Sequence, residues 1–127
     1  MEKPYDEEML NKTAKTGAES FTESDLDEVL SQEKTAKKKA EKLGELAETV
    51  KLLWSMIIDY KNGDYREIPW KTIAAFGFAI AYLISPLDLV PDFIPVAGFL
   101  DDASLFALFL KLYAEDFKKY CEWKKNR

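Results

Sequence analysis

The stretch Ile-Ala-Ala-Phe-Gly-Phe-Ala-Ile-Ala-Tyr-Leu-Ile, residues 73–84, carries no charge and no polar face. A helix that is apolar all round has to be enclosed, either by other protein elements or by lipid, because water on any side would face hydrocarbon. Small residues four apart, Ala75 with Ala79 and Gly77 with Ala81, allow another element to approach its backbone closely. Three prolines within ten residues, Pro86, Pro91 and Pro95, then end it, since each disfavours helical backbone in the residue before. The chain has 127 residues, enough for one core and no more. Whatever encloses 73–84 must therefore come from a few flanking helices or from a bilayer.

Upstream, residues 1–23 are polar and lack hydrophobic periodicity, so they are expected to be a disordered acidic leader. Residues 24–66 are expected to form an amphipathic helical arm. Thr22 with Asp25, or Ser24 with Asp27, caps a short helix through Leu26, Val29 and Leu30. Ala36, Ala40, Leu43, Ala47, Val50, Trp54 and Ile57 then recur at alternating four- and three-residue spacing, which predicts one long helix over 35–60. Asn62-Gly63 supplies its C-terminal stop. The stripe either packs on the rest of the domain or, being in heptad register, meets a second copy in a homo-oligomer. Residues 67–127 form the third unit. Pro69 suits the first turn of the apolar helix, and a last helix opens at Asp101-Asp102. Phe106, Leu110, Tyr113, Phe117 and Tyr120 form one stripe along that last helix.

The fold class is thus all-α: a long amphipathic helix, then an apolar helical hairpin broken by a loop rich in proline and aspartate. The chemistry available to it is restricted. There is no histidine and one cysteine, Cys121, so neither an imidazole base nor a disulfide or thiolate zinc site can be assembled within the chain. A net charge of −5 argues against nucleic acid as a partner. No catalytic residue and no cofactor is expected. Residues 1–34 hold ten acids against four bases, whereas 103–127 hold three acids against six bases.

The break itself reads Ser85-Pro-x-Asp-Leu-x-Pro-Asp-Phe-Ile-Pro-x-x-Gly-x-Leu-Asp-Asp102. Ser85, Pro86 and Asp88 fit a capped helix start, Asp92 follows Pro91 in a turn, and Gly98 permits positive φ. This string resembles the signature of the YkvA family, a bacterial family without assigned function, at Ser85, Pro86, Asp88, Pro91, Asp92, Pro95, Gly98, Asp101 and Asp102. The core of the resemblance covers roughly 67–115, and Val50-Lys-Leu-Leu-Trp-Ser-Met-Ile-Ile-Asp-Tyr is similar to members with a longer N-terminal arm. Members are described as membrane proteins; the resemblance implies no activity and no cofactor.

From Thr72 to Leu110 no lysine or arginine occurs in 39 residues, while basic residues resume on both sides and Trp70 and Trp123 stand near the edges. That pattern predicts a protein that meets the lipid bilayer or its surface, inserted from the cytoplasmic side and acting by binding, with a transmembrane helix as the strongest form of the expectation. The alternative is a cytoplasmic, self-associating module. Trp70 to Ser85 covers 16 residues, roughly 24 Å of helix against a hydrocarbon core of about 30 Å. Asp88, Asp92, Asp101 and Asp102 offer hard oxygen ligands for a cation such as Mg²⁺ or Ca²⁺; capping and turn roles account for the same residues, and no metal is expected.

Overall fold

A computed structural model describes residues 7–84 and 102–127. The described residues are helical with no strand. The order is α1 (Glu7–Ser20), α2 (Glu23–Leu30), α3 (Glu33–Ala40), a 3₁₀ turn (Glu41–Leu43), α4 (Leu46–Asn62), α5 (Trp70–Ile84), α6 (Asp102–Leu112) and α7 (Ala114–Lys125). The expected all-α class is what the chain adopts.

The apolar helix α5 is the axis of the molecule. Every residue from Thr72 to Ile84 is buried, and α1, α2, α3, α4 and α6 all pack against it. The enclosure that its sequence demands is supplied here by protein, through the apolar faces of amphipathic neighbours. Phe76 lies at the centre of an aromatic cluster, with Phe109, Tyr113 and Phe117 at 6.2, 6.1 and 6.4 Å between ring centres. Such edge-on and tilted pairs add to the stabilisation from burying area alone.

Local chemistry explains three of the helix ends. Thr22 accepts from the Asp25 amide at 3.1 Å and the Asp25 carboxylate accepts from the Thr22 amide at 2.9 Å, a reciprocal cap on α2. Gly63 closes α4 at φ 84°, and the carbonyl of Asp59 takes the amides of Asp64 and Tyr65 at 2.9 and 3.1 Å. The start of α5 is bonded to the carbonyl of Pro69, which accepts from Thr72 and Ile73.

Four expectations need correction. Glu7–Ser20 is not a disordered leader but a helix, with Ala14 buried against the core and α5 as its main contact. Glycine at position 17 lets the ring of Phe78 close on this helix, since a Cβ there would overlap it. At the mirror position Gly77, a Cβ would lie 2.6 Å from Phe21 Cε2, so the side chain entering beside α5 there is Phe21. The single helix over 35–60 is broken at Gly44, whose φ of 62° and ψ of −120° suit glycine alone. The stripe survives the break, with Ala36 and Ala40 on α3 and Val50, Trp54 and Ile57 on α4 all buried within the chain's own core. The last helix is likewise broken at Tyr113, where φ is −117° and ψ 30°. Finally, no described helix is long and apolar enough to cross a membrane, so the expectation of a transmembrane helix is not supported.

Candidate functional site

Of the motif residues, Ser85, Pro86, Asp88, Pro91, Asp92, Pro95, Gly98 and Asp101 lie outside the described residues, and with them most of the candidate cation ligands. Asp102 is the first residue of α6, as expected for the acid opening the last helix. Among the described residues no group of three or more His, Cys, Asp or Glu side chains could hold a metal ion.

The frame on which the motif is mounted is described. It consists of the C-terminal end of α5 and the N-terminal end of α6, two helices that pack on each other. The carbonyl of Ile84, one of the orphan acceptors of the last turn of α5, takes a hydrogen bond from Lys39 Nζ at 2.5 Å. A cation at a helix C-terminus also meets the negative end of its dipole. That contact docks α3 beside the exit of α5. It brings along Lys34, Lys37 and Lys38, which α3 leaves exposed, with Lys42 in the turn behind. Among the described residues Lys37 pairs with Glu33 on its own helix, at 3.2 Å with both partners half-exposed, a contact of little energetic weight.

At the far end of the bundle the structure assembles a polar cluster that sequence reasoning missed. Asp59, in the last turn of α4, is buried. Its Oδ2 accepts from Tyr120 Oη at 2.7 Å and from Lys124 Nζ at 3.2 Å, while Arg127 approaches Oδ1 at 3.9 Å. Tyr120 gives its only proton to Asp59, so Ser55 Oγ, 2.7 Å away, donates to Tyr120. Tyr65 packs on both Tyr120 and Trp123, with ring centres 5.3 and 4.9 Å apart, and the Arg127 guanidinium lies 4.9 Å from the Trp123 ring centre. A second polar tie, Thr72 Oγ1 to Asp116 Oδ2 at 2.6 Å, links α5 to α7. The available signal for the cluster was Asp59 itself: a carboxylate in the last turn of a helix opposes the dipole and calls for a cation from elsewhere.

Burial and the hydrogen bond to Asp59 push the Tyr120 phenol well above its ordinary 10, so it neither ionises nor acts as a base near neutral pH. Burial also raises the thiol of Cys121, which works against its reactivity. The cluster holds α7 to α4, with a consequence for pH. A phenol pKa raised in the folded state means that stabilisation is complete below the unfolded value near 10 and is lost as pH climbs beyond it. Tyr120→Phe should cost about 1–2 kcal/mol at neutral pH. The gap to wild type, followed by urea unfolding, should narrow above pH 10. A gap constant into strong alkali would contradict the assignment.

A groove of about 420 Å³ opens between α1, the first turn of α5 and the α6–α7 junction. Ala14 and Phe109 are buried at its base, and Lys15 and Lys71 stand at its rim.

Fold and frame define a small all-helical protein in which one apolar helix is sheathed by amphipathic ones and carries a proline- and aspartate-rich segment at its C-terminal end. The sequence model of a family described as "Protein of unknown function (DUF1232)" matches residues 72–108, which run from the start of α5 into α6. The chain is also 37% identical over 71 residues to the "Uncharacterized membrane protein YkvA" of Bacillus subtilis (strain 168), an alignment covering 56% of this chain and 67% of that protein. The chain belongs to this YkvA-like family of unknown function. No solved structure matches it.

Proposed function

We infer that the protein works by binding at a membrane surface rather than by catalysis, with the α3 end of the bundle towards the headgroups and the cytoplasmic leaflet as its target. The observation that carries this reading is the docking of α3 at the exit of α5 through Lys39 and Ile84. It places the exposed Lys34, Lys37 and Lys38 at the end of the bundle from which the motif leaves. The printed name of the Bacillus relative, a membrane protein, supports the same direction. So does the composition of the motif, in which Leu87, Leu89, Val90, Phe93, Ile94, Val96, Phe99 and Leu100 alternate with prolines and acids. Since no described helix is long enough to span, the contact proposed is peripheral.

Each lysine near an anionic surface contributes about 1 kcal/mol, a term that salt screens. Lys34→Gln, Lys37→Gln and Lys38→Gln combined should therefore weaken co-sedimentation with phosphatidylglycerol vesicles roughly a hundredfold. Phosphatidylcholine vesicles should retain little of either protein. Equal retention of wild type and triple variant on the anionic vesicles, or no retention of wild type on them, would sink the proposal. The self-associating alternative is disfavoured by one observation: the stripe it would use is spent inside the chain, with Val50 3% exposed.

A further inference from the structure

The groove between α1 and α6 is distinct from the α3 surface and has its own chemistry. Part of its lining is hydrocarbon, with Ala18 and Leu108 beside the buried Ala14 and Phe109, while Asn11 and Tyr113 add neutral polar groups. One wall ends in Leu112, 60% exposed, the more exposed of the two large apolar side chains on the described surface. Leu112 is the last residue of α6, and the backbone break at Tyr113 ends the helix before any neighbour covers it. A volume of about 420 Å³ falls in the range of small-molecule sites, roughly 300–1,000 Å³. The opposite wall is held in place where Gly17 of α1 admits the Phe78 ring.

The rim supplies the head-group chemistry. Lys15 comes from α1 and Lys71 from α5, both exposed. Among the described residues neither lies within ion-pair distance of an acid, although Glu19 follows Lys15 by one helical turn and lines the same groove. Two ammonium groups and one carboxylate leave the rim one positive charge in excess, which a monoanion neutralises. A groove with an apolar stretch and a rim one positive charge in excess is complementary to an amphiphile having one hydrocarbon chain and one negative head.

We propose that this groove binds a long-chain fatty acid, its carboxylate between Lys15 and Lys71 and its chain along Ala14, Leu108 and Leu112. Lysine suits the role because its ammonium acts as a mobile point charge towards a carboxylate. The site is independent of the surface formed by Lys34, Lys37 and Lys38.

The test is calorimetric titration of the full chain with palmitate below its micellar threshold, beside hexadecanol as the uncharged analogue. Wild type should bind palmitate saturably at one site. Lys15→Gln with Lys71→Gln should weaken palmitate by about tenfold or more, the loss of two charge-assisted contacts, and leave hexadecanol unchanged. Leu112→Gln, at an exposed position that the fold tolerates, should weaken both ligands. The triple variant of Lys34, Lys37 and Lys38 should bind palmitate as wild type does, which separates this site from the membrane reading. Absence of saturable palmitate binding by wild type would overturn the proposal. So would equal palmitate affinity in wild type and the Lys15/Lys71 double variant. A fall in oligomer mass with Leu112→Gln, without palmitate binding, would assign the groove to a second copy of the chain instead.

Discussion

Phe76→Ala should remove about 3–5 kcal/mol of stability, the range for excising a buried phenylalanine, from a total on the order of 5–15 kcal/mol. Phe76 is wholly buried on α5, and its ring meets Phe109 of α6, Phe117 of α7 and Tyr113 between them. Deleting it opens a cavity where three elements converge, and aromatic rings held by their neighbours cannot readily collapse into the void. Urea unfolding followed by helical circular dichroism, in detergent-free buffer, measures the loss. Phe76→Leu should lose less, because part of the volume is kept. The result decides more than one residue's contribution. If the alanine variant fell within about 1 kcal/mol of wild type, α5 would not be enclosed by this chain, and lipid would again be the partner for its apolar surface.

Gly17→Val is expected to cost about 1–3 kcal/mol or to release α1 from the bundle, because the added carbons fall inside the Phe78 ring. Helix propensity pulls the other way by a few tenths of a kcal/mol, valine being a slightly better helix residue than glycine. Packing should win, since helix and ring are both fixed by further contacts: Ala14 is buried one turn before, and Phe78 is itself buried against Tyr82 at 6.4 Å between ring centres. Limited trypsin digestion reads the outcome directly. Lys12 and Lys15 lie on α1 and are exposed, and cleavage after them needs local unfolding of the helix. The variant should be cut markedly faster than wild type. A melting temperature above wild type, with unchanged cleavage, would mean that α1 is a free helix and does not pack on α5.

Much of this architecture is legible in the chain. The span of α5 follows from a run of residues with no polar face between Pro69 and the proline-rich break. The stop at Gly63 follows from the φ that glycine permits, whereas the sequence offered Thr22 and Ser24 alike as the cap of α2 and the structure uses Thr22. The inward face of α3 and α4 follows from the spacing of Ala36, Ala40, Val50, Trp54 and Ile57, every one of them buried. α1 was not legible, because the residues described in its contact with the core, Ala14, Gly17 and Ala18, are small. Small residues carry almost no hydrophobic signal, and the ring that meets Gly17 belongs to Phe78 on the other helix. The break at Gly44 was hidden for a different reason: the stripe keeps its phase through the turn, so periodicity reads one helix where the backbone forms two.

The polar cluster shows the division most clearly. Asp59 and Tyr120 are 61 positions apart, and nothing in either local sequence names the other. The sequence by itself determined that residues 73–84 must be enclosed, that helices would do the enclosing, and that imidazole and paired-thiol chemistry are absent. Only the tertiary structure decided what the enclosure is made of. A helix apolar all round gains similar free energy from lipid and from protein, since both remove hydrocarbon from water. The choice between them rests on shape complementarity among distant segments, which burial pattern alone does not encode. In this chain the fit of Phe21 beside Gly77, of Phe78 beside Gly17, and of the α6 and α7 aromatics around Phe76 settles it in favour of protein.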